Sequence, residues 1–389
     1  MDIVGGLYHE ICDFPPWRAI RGSGGRAAWV LADKVETRLH CYATRAEEAA
    51  IEELRSHGVT VNVHGTALST AFAYFHGLST PHIEPAPDSR TPAEAFKVVG
   101  STILRFGLLE GDPIIKATGR AIYDPQTAND PAPFHANGST AEEWALVVNE
   151  RELEVMGGGG TLQAAAARVH AQQGASVVVA KCGPTGAQVF VRDADRPTLV
   201  PAYASEQVFK IGTGDVFSAA FALYWGERGL AADQAADRAS RAVSDYCEDP
   251  LGRFPDDQRK ERLSVPIGTT APIILLGAGD TLGQRYVLEE VRFRLRELNV
   301  VVNAPALDHT TPDEDARVVL VIADGARDEV WDEADALVAS GARRIILIQD
   351  SDLESFRRMA EDKTTSDFTT AVYWAVWAAQ IPVDLSSGN

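Results

Sequence analysis

Short β-rich apolar runs alternate with alanine-rich amphipathic stretches, and this alternation limits the fold more than any other feature of the chain. A-L-V-V at 145–148 is followed by T-L-Q-A-A-A-A-R-V-H-A from residue 161 and then by S-V-V-V-A at 176–180. Strand, helix and strand in that order mark βαβ units around a mainly parallel sheet. G-G-G-G at 157–160 breaks the chain between elements. A chain of 389 residues exceeds the size at which one hydrophobic core usually stops growing, which predicts two domains. The alternation lapses in a polar, proline-containing stretch at 249–271, and a fresh α/β pattern opens with P-I-I-L-L-G-A-G-D at 272–280. It continues through V-L-E-E-V-R-F-R-L-R-E-L, N-V-V-V-N, R-V-V-L-V-I-A-D-G and R-R-I-I-L-I-Q-D. The predicted organisation is a first domain over residues 1–265, a linker over 255–271 and a small α/β domain over 266–389.

A net charge of −19 and a pI near 4.9 oppose attraction to nucleic acid or to an anionic membrane surface. An anionic ligand must therefore be held by local devices: helix N-terminal amides, a few basic side chains or a divalent cation. Cys12, Cys41, Cys182 and Cys247 are scattered with no C-x-x-C pair, which predicts neither a zinc cluster nor a disulfide framework. The N-terminus has no basic region followed by an apolar core, and no apolar run approaches the roughly 20 residues needed to span a bilayer. The expectation is a cytoplasmic, soluble protein.

The segment richest in chemistry is V-F-K-I-G-T-G-D-V-F-S-A-A-F at 208–221. Gly212, Thr213 and Gly214 predict a tight turn into a helix that starts near Asp215. Small residues there let amide groups converge on a point where the helix dipole favours negative charge, as a migrating phosphoryl group requires. A carboxylate at the same point can take a hydroxyl proton from a nucleophile. The residues also read as a glycine turn with an acidic helix cap. In V-V-N-E-R-E-L-E, Asn149 and Glu152 suit a hard, oxygen-loving cation, and equally a plain capping box. A-I-Y-D-P-Q at 121–126 predicts a strand with Asp124 at its carboxyl end, the edge where open α/β sheets bind ligands. V-V-V-A-K-C-G-P-T-G-A-Q-V-F at 177–190 reads as a β-hairpin.

Taken together and in this order, the segments resemble the ribokinase-like (PfkB) family, whose signature reads D-T-x-G-A-G-D where this chain has F-K-I-G-T-G-D. The resemblance implies a mostly parallel central sheet flanked by helices, and an ATP-dependent, Mg²⁺-assisted transfer of phosphate to a sugar or nucleoside hydroxyl. It implies Asp215 as catalytic base and Gly212, Thr213 and Gly214 as the anion hole. Asn149 and Glu152 would organise Mg²⁺; Lys181, Gly183 and Gly186 would border the nucleotide. G-S-G-G-R-A-A-W at 22–29 is similar to the element that closes over the acceptor, so Glu10, Gly24, Gly25, Trp29 and Asp124 are the implied acceptor contacts. Phe209 and Lys210 stand where the family has Asp and Thr, Thr213 replaces Ala, Trp29 replaces Asn and Glu10 replaces Asp. Family members often pair through a β-sheet lid. Pro15 and Pro16 interrupt the matching region, C-D-F-P-P-W-R-A-I-R-G, and weaken strand pairing there, which leaves a homodimer open.

Residues 272–389 resemble, more distantly, nucleoside 2-deoxyribosyltransferase-like domains, a small flavodoxin-like α/β architecture. Asp324, Gly325, Glu333 and Gly341 reproduce that family's spacing, in which the Glu attacks an anomeric carbon. Asp335 stands where a Gly is usual, and D-E-V-W-D-E-A-D also reads as the solvated face of an acidic helix. His309 is expected in a surface loop. The alternative function is a nucleotide-sensing kinase-fold module coupled to a C-terminal N-glycosidase acting on nucleosides, nucleotides or NAD; a third reading makes the second domain a regulatory or dimerisation lobe.

Overall fold

A computed structural model of the chain describes residues 1–127, 129–255, 261–309, 311, 316–349 and 362–382. The chain divides into two compact units, one of residues 1–203 and 209–262, the other of residues 204–208 and 263–389.

The first unit runs β1 (Asp2–Val4), β2 (His9–Phe14), β3 (Trp17–Ile20), α1 (Gly22–Leu31), β4 (Arg38–Ala43), α2 (Glu48–Ser56), β5 (Thr60–Gly65), β6 (Ala71–His76) and β7 (His82–Glu84). It continues with β8 (Lys97–Gly100), β9 (Ile103–Phe106), β10 (Ile114–Asp124), β11 (Thr140–Asn149), α3 (Glu150–Met156), α4 (Leu162–Gln173) and β12 (Val177–Lys181). It closes with β13 (Ala187–Val191), β14 (Thr198–Val200), α5 (Thr213–Phe221) and α6 (Ala232–Glu248). The main sheet is ordered β14-β13-β12-β11-β10-β9-β1-β4-β5, with β8 also paired to β10. Every pairing from β12 to β5 is parallel, and β13 and β14 add an antiparallel edge.

Two-residue periodicity explains how one apolar strand serves two cores. In β11, Ala145 and Val147 enter a cluster with Ala27 of α1, Val216 of α5 and Ala239 of α6. Leu146 and Val148 point the other way, to Ala165 and Val169 of α4. Helix α4 is delimited as its sequence suggests: Thr161 caps the N-terminus by accepting from the Ala164 amide at 3.2 Å, and Gly174 ends it at φ 76°. Gly24 is required by close approach, because a Cβ there would lie 2.6 Å from the backbone of Gly5 at the end of β1.

A second sheet, β3-β2-β6-β7, lies outside the main one. The expected weakening by Pro15 and Pro16 does not occur. Both prolines occupy the turn between β2 and β3, where no ladder donor is needed, so the hairpin pairs from His9–Ile20 to Cys12–Trp17.

The second unit contains β15 (Gly268–Thr270), β16 (Ile273–Gly277), α7 (Leu282–Glu297), β17 (Val302–Asn303), α8 (Pro305–Asp308), β18 (Val318–Ile322), α9 (Asp328–Ala339), β19 (Arg343–Leu347), β20 (Lys363–Thr365), α10 (Phe368–Ala378) and β21 (Gln380–Pro382). Five parallel strands are ordered β17-β16-β18-β19-β20, the 2-1-3-4-5 arrangement of doubly wound flavodoxin-like folds. Strands β15 and β21 pair separately, antiparallel.

Candidate active site

Because β10, β11 and β12 run parallel, their carboxyl ends deliver Asp124, Asn149 and Lys181 to one edge of the main sheet. Beside that edge is a cleft of about 670 Å³ lined by the turn Lys210–Asp215, by Glu10, Gln126 and Thr127, and by the aromatic rings Tyr8, Phe72 and Tyr74.

Gly212 opens the turn at φ 79°, a left-handed conformation that favours glycine. The Arg26 guanidinium packs where a Cβ on Gly212 would project. Helix α5 begins at Thr213, two residues before Asp215. Among the described residues, the amides of Gly214 and Asp215 have no hydrogen-bond partner, so they remain available to an anion. The amide of Thr213 does not: it donates to the Lys210 carbonyl at 3.2 Å. The expectation that Thr213 contributes an anion-hole amide is corrected accordingly.

Asp215 is 7% exposed. Its Oδ2 accepts from Arg26 Nη1 at 2.9 Å and its Oδ1 from Gln126 Nε2 at 2.6 Å. Gln126 holds φ 54°, an uncommon conformation for a non-glycine residue, and strained backbone of this kind clusters at functional sites. Burial raises the Asp215 pKa to about 6; Glu10 and Asp124 push in the same direction, and Arg26 and Lys181 oppose them. Arg26, with its side chain 2% exposed, also pairs with Glu10, Nη1 to Oε1 at 2.9 Å and Nη2 to Oε2 at 2.5 Å. Its Nε donates to the Tyr246 hydroxyl at 2.8 Å, and that hydroxyl donates to the Ile211 carbonyl at 2.8 Å. Burial would depress the guanidinium pKa, but Glu10, Tyr246 and Asp215 hold it well above the usual value, so the charge is retained.

A second polar network adjoins the first. Asp124, 1% exposed, accepts from Lys181 Nζ at 2.7 Å and from Ser218 Oγ at 2.6 Å. Lys181 Nζ would lie 3.5 Å from a Cβ on Gly214, which places its ammonium against the turn. Asn149 and Glu152 form a reciprocal capping box: Asn149 Oδ1 accepts from the Glu152 amide and Glu152 Oε2 from the Asn149 amide, both at 2.8 Å. Asn149 is thus engaged in capping α3. Burial and the charge of Asp124 raise the Glu152 pKa to about 7 against the opposing pull of Lys181. Two buried carboxylates that share the charge of one ammonium make an environment that a divalent cation would relieve, so Glu152 and Asp124 fit Mg²⁺.

Glu10, Gly212, Thr213, Gly214 and Asp215 line the cleft. Lys181, Asp124 and Glu152 join them by hydrogen bonds and charge. Gly183 and Gly186 bound the short turn between β12 and β13, at φ 57° and 104°. Gly25 packs against Leu7. Gly25, Gly183 and Gly186 do not line the cleft, and neither does Trp29, whose indole donates to the Leu251 carbonyl at 2.9 Å between the guanidinium groups of Arg21 and Arg253. One turn beyond Arg26 on α1, it is directed at that loop rather than at an acceptor. Arg26, Gln126, Lys210 and Ser218 complete the site. Of these, only Lys210 stands out in the sequence, as a departure from a family pattern.

In the second unit, Glu333 is half-buried on α9, and burial raises its pKa. Asp324 accepts from the Gln349 amide at 2.7 Å. Asp335 pairs with Arg344 and His309 is exposed, the latter as expected of a loop histidine.

Residues 125–249, which contain Asn149, Lys181 and Asp215, match the family model described as pfkB family carbohydrate kinase. No curated protein matches the chain. Among solved structures, the chain is similar to a pyrophosphate-dependent kinase in the ribokinase family complexed with a pyrophosphate analog and myo-inositol, at 16% identity and TM-score 0.46, covering 66% of this chain and 98% of that one. It is also similar to ribokinase from Thermotoga maritima, at 15% identity and TM-score 0.42, covering 64% of this chain and 93% of that one. A mutant of phosphofructokinase-2 from Escherichia coli is similar at 15% identity and TM-score 0.47, covering 67% of this chain and 96% of that one.

Proposed function

We propose that the first unit transfers the γ-phosphoryl group of ATP to a hydroxyl of a sugar or nucleoside, with Asp215 as the base. The observation that carries this reading is the placement of one buried carboxylate at the open N-terminus of α5, on the wall of a cleft large enough for a small ring. An ionised carboxylate offers about four lone-pair sites; Arg26 and Gln126 use two, which leaves Asp215 able to accept the acceptor's proton. As that O–H bond breaks, the acceptor oxygen bonds to the γ-phosphorus and the bond to the bridging oxygen of ADP breaks. The amides of Gly214 and Asp215 face the charge that spreads over the phosphoryl oxygens in transit. Mg²⁺, when bound near Glu152 and Asp124, would supply neutralisation of the donor's phosphate charge. Tyr8 and Phe72, with ring centroids 4.5 Å apart, offer an apolar wall for a sugar or base face.

The test is ADP release with ATP, Mg²⁺ and a panel of sugars and nucleosides. Acceptor-dependent ADP formation that disappears in Asp215→Asn supports the reading; acceptor-dependent turnover that survives the substitution refutes it.

A further inference from the structure

Lys210 has no role in the chemistry described so far. Its ammonium reaches the cleft at the mouth of the turn and donates to Thr213 Oγ1 at 2.9 Å. Among the described residues it has no carboxylate within ion-pair distance. Lys181, its neighbour across the turn, is neutralised by Asp124 at 2.7 Å. Burial lowers the Lys210 pKa most and the charge of Lys181 lowers it further, against the opposing pull of Cys247 and Asp215. A cation destabilised in this way gains from any anion that enters the cleft.

The surroundings specify which kind of anion. The unpartnered amides of Gly214 and Asp215 lie at the start of α5, Lys210 Nζ donates to Thr213 Oγ1 at 2.9 Å, and Lys181 Nζ would lie 3.5 Å from a Cβ on Gly214. A single carboxylate offers two oxygens and one charge to two ammonium groups and two amides, of which, among the described residues, only Lys181 is already ion-paired, to Asp124 at 2.7 Å. A condensed phosphate carries enough charge and enough oxygens to meet both lysines and the amides together, and lysine binds phosphate as a point charge without a fixed fork.

We propose that Lys210 is a ligand of the phosphoryl donor, closing with Lys181 a two-ammonium clamp on a pyrophosphoryl group. That group is shared by nucleoside triphosphates and inorganic pyrophosphate. Only the identity of the anion rests on the phosphotransfer reading; the clamp itself is read from binding.

The experiment titrates the full chain, without acceptor, with ATP, inorganic pyrophosphate and tripolyphosphate by calorimetry, in wild type, Lys210→Met, Lys210→Gln and Lys210→Arg. Loss of one charge-assisted contact weakens binding about tenfold or more in the Met and Gln variants, while Arg retains most of the affinity. Binding of pyrophosphate and ATP alike identifies the pyrophosphoryl unit as what is recognised; binding of ATP alone assigns a nucleotide donor, and of pyrophosphate alone an inorganic one, each with the same dependence on Lys210. Where an acceptor is known, the donor KM rises and the acceptor KM does not, a split that a merely structural lysine would not produce. Equal affinity in wild type and both neutral variants, each shown folded by circular dichroism, overturns the clamp. Failure of the kinase reading shows up separately, as acceptor-dependent turnover that persists in Asp215→Asn.

Discussion

Arg26 donates to Asp215 at 2.9 Å across 189 residues of sequence, and the same nitrogen donates at 2.9 Å to Glu10. A single guanidinium therefore serves two buried carboxylates, one of them the proposed base. Asp215 is poised with a pKa of about 6 because burial and its acidic neighbours raise it while Arg26 and Lys181 restrain it.

Replacing Arg26 by Met should act on both stability and pH dependence. Two buried carboxylates lose their cation, a change worth on the order of 3–5 kcal/mol by urea denaturation. If Asp215 is the base as proposed, activity requires its ionised form and should fall as pH drops through its pKa. Removing Arg26 raises that pKa further, so the acidic limb of the kcat/KM profile should move to higher pH, and less so in Arg26→Lys. An acidic limb that stays in place in Arg26→Met separates Arg26 from the base.

Asp215→Asn should lower kcat by roughly 10²-fold or more, the usual scale of general-base catalysis. Affinity for the donor, measured by calorimetry without acceptor, should change far less. Equal losses in both would mark Asp215 as a structural residue.

Glu152 predicts a pH-dependent cation requirement. Its pKa of about 7 means that it is largely protonated below neutrality. The Mg²⁺ concentration for half-maximal activity should therefore rise between pH 8 and pH 6, approaching about tenfold per unit below the pKa. Glu152→Gln should abolish that slope; a slope unchanged in the variant would assign it to another group.

Lys181→Met strands Asp124, which among the described residues keeps only Ser218 as a side-chain partner. Destabilisation of about 3–5 kcal/mol is expected. The double variant Asp124→Asn with Lys181→Met should recover part of it, because the cycle removes charge and counter-charge together. Additive losses in thermal or urea melts would contradict the pairing.

The fold is legible where local chemistry decides it. Alternating apolar strands and alanine-rich helices predict the parallel sheets of both units, and the turn Gly212–Gly214 predicts the start of α5 within two residues. Asp124 and Lys181 are foreseen on one sheet edge because strand direction alone brings them there. The pairing of β2 with β3 is not foreseen, because prolines that weaken a strand are harmless in the turn of a hairpin. Arg26 escapes notice for a different reason: a lone arginine among small residues looks solvent-facing, and its partners at 215 and 246 lie too far along the chain for any local pattern to reveal. Position in a motif draws Trp29 toward the acceptor, yet helical geometry aims it at the Leu251 loop.

The span of the Arg26 network carries a consequence for dissection of the protein. The guanidinium ties α1 to Tyr246 of α6 over 220 residues as well as to Asp215. Any cut between residues 26 and 215 divides counter-ions that need each other: one fragment keeps an arginine and a glutamate, the other an orphaned acid and phenol. If the proposed phosphotransfer holds, split halves of the first unit should regain turnover only when mixed, so that recovered activity becomes a direct reporter of whether this buried junction has re-formed.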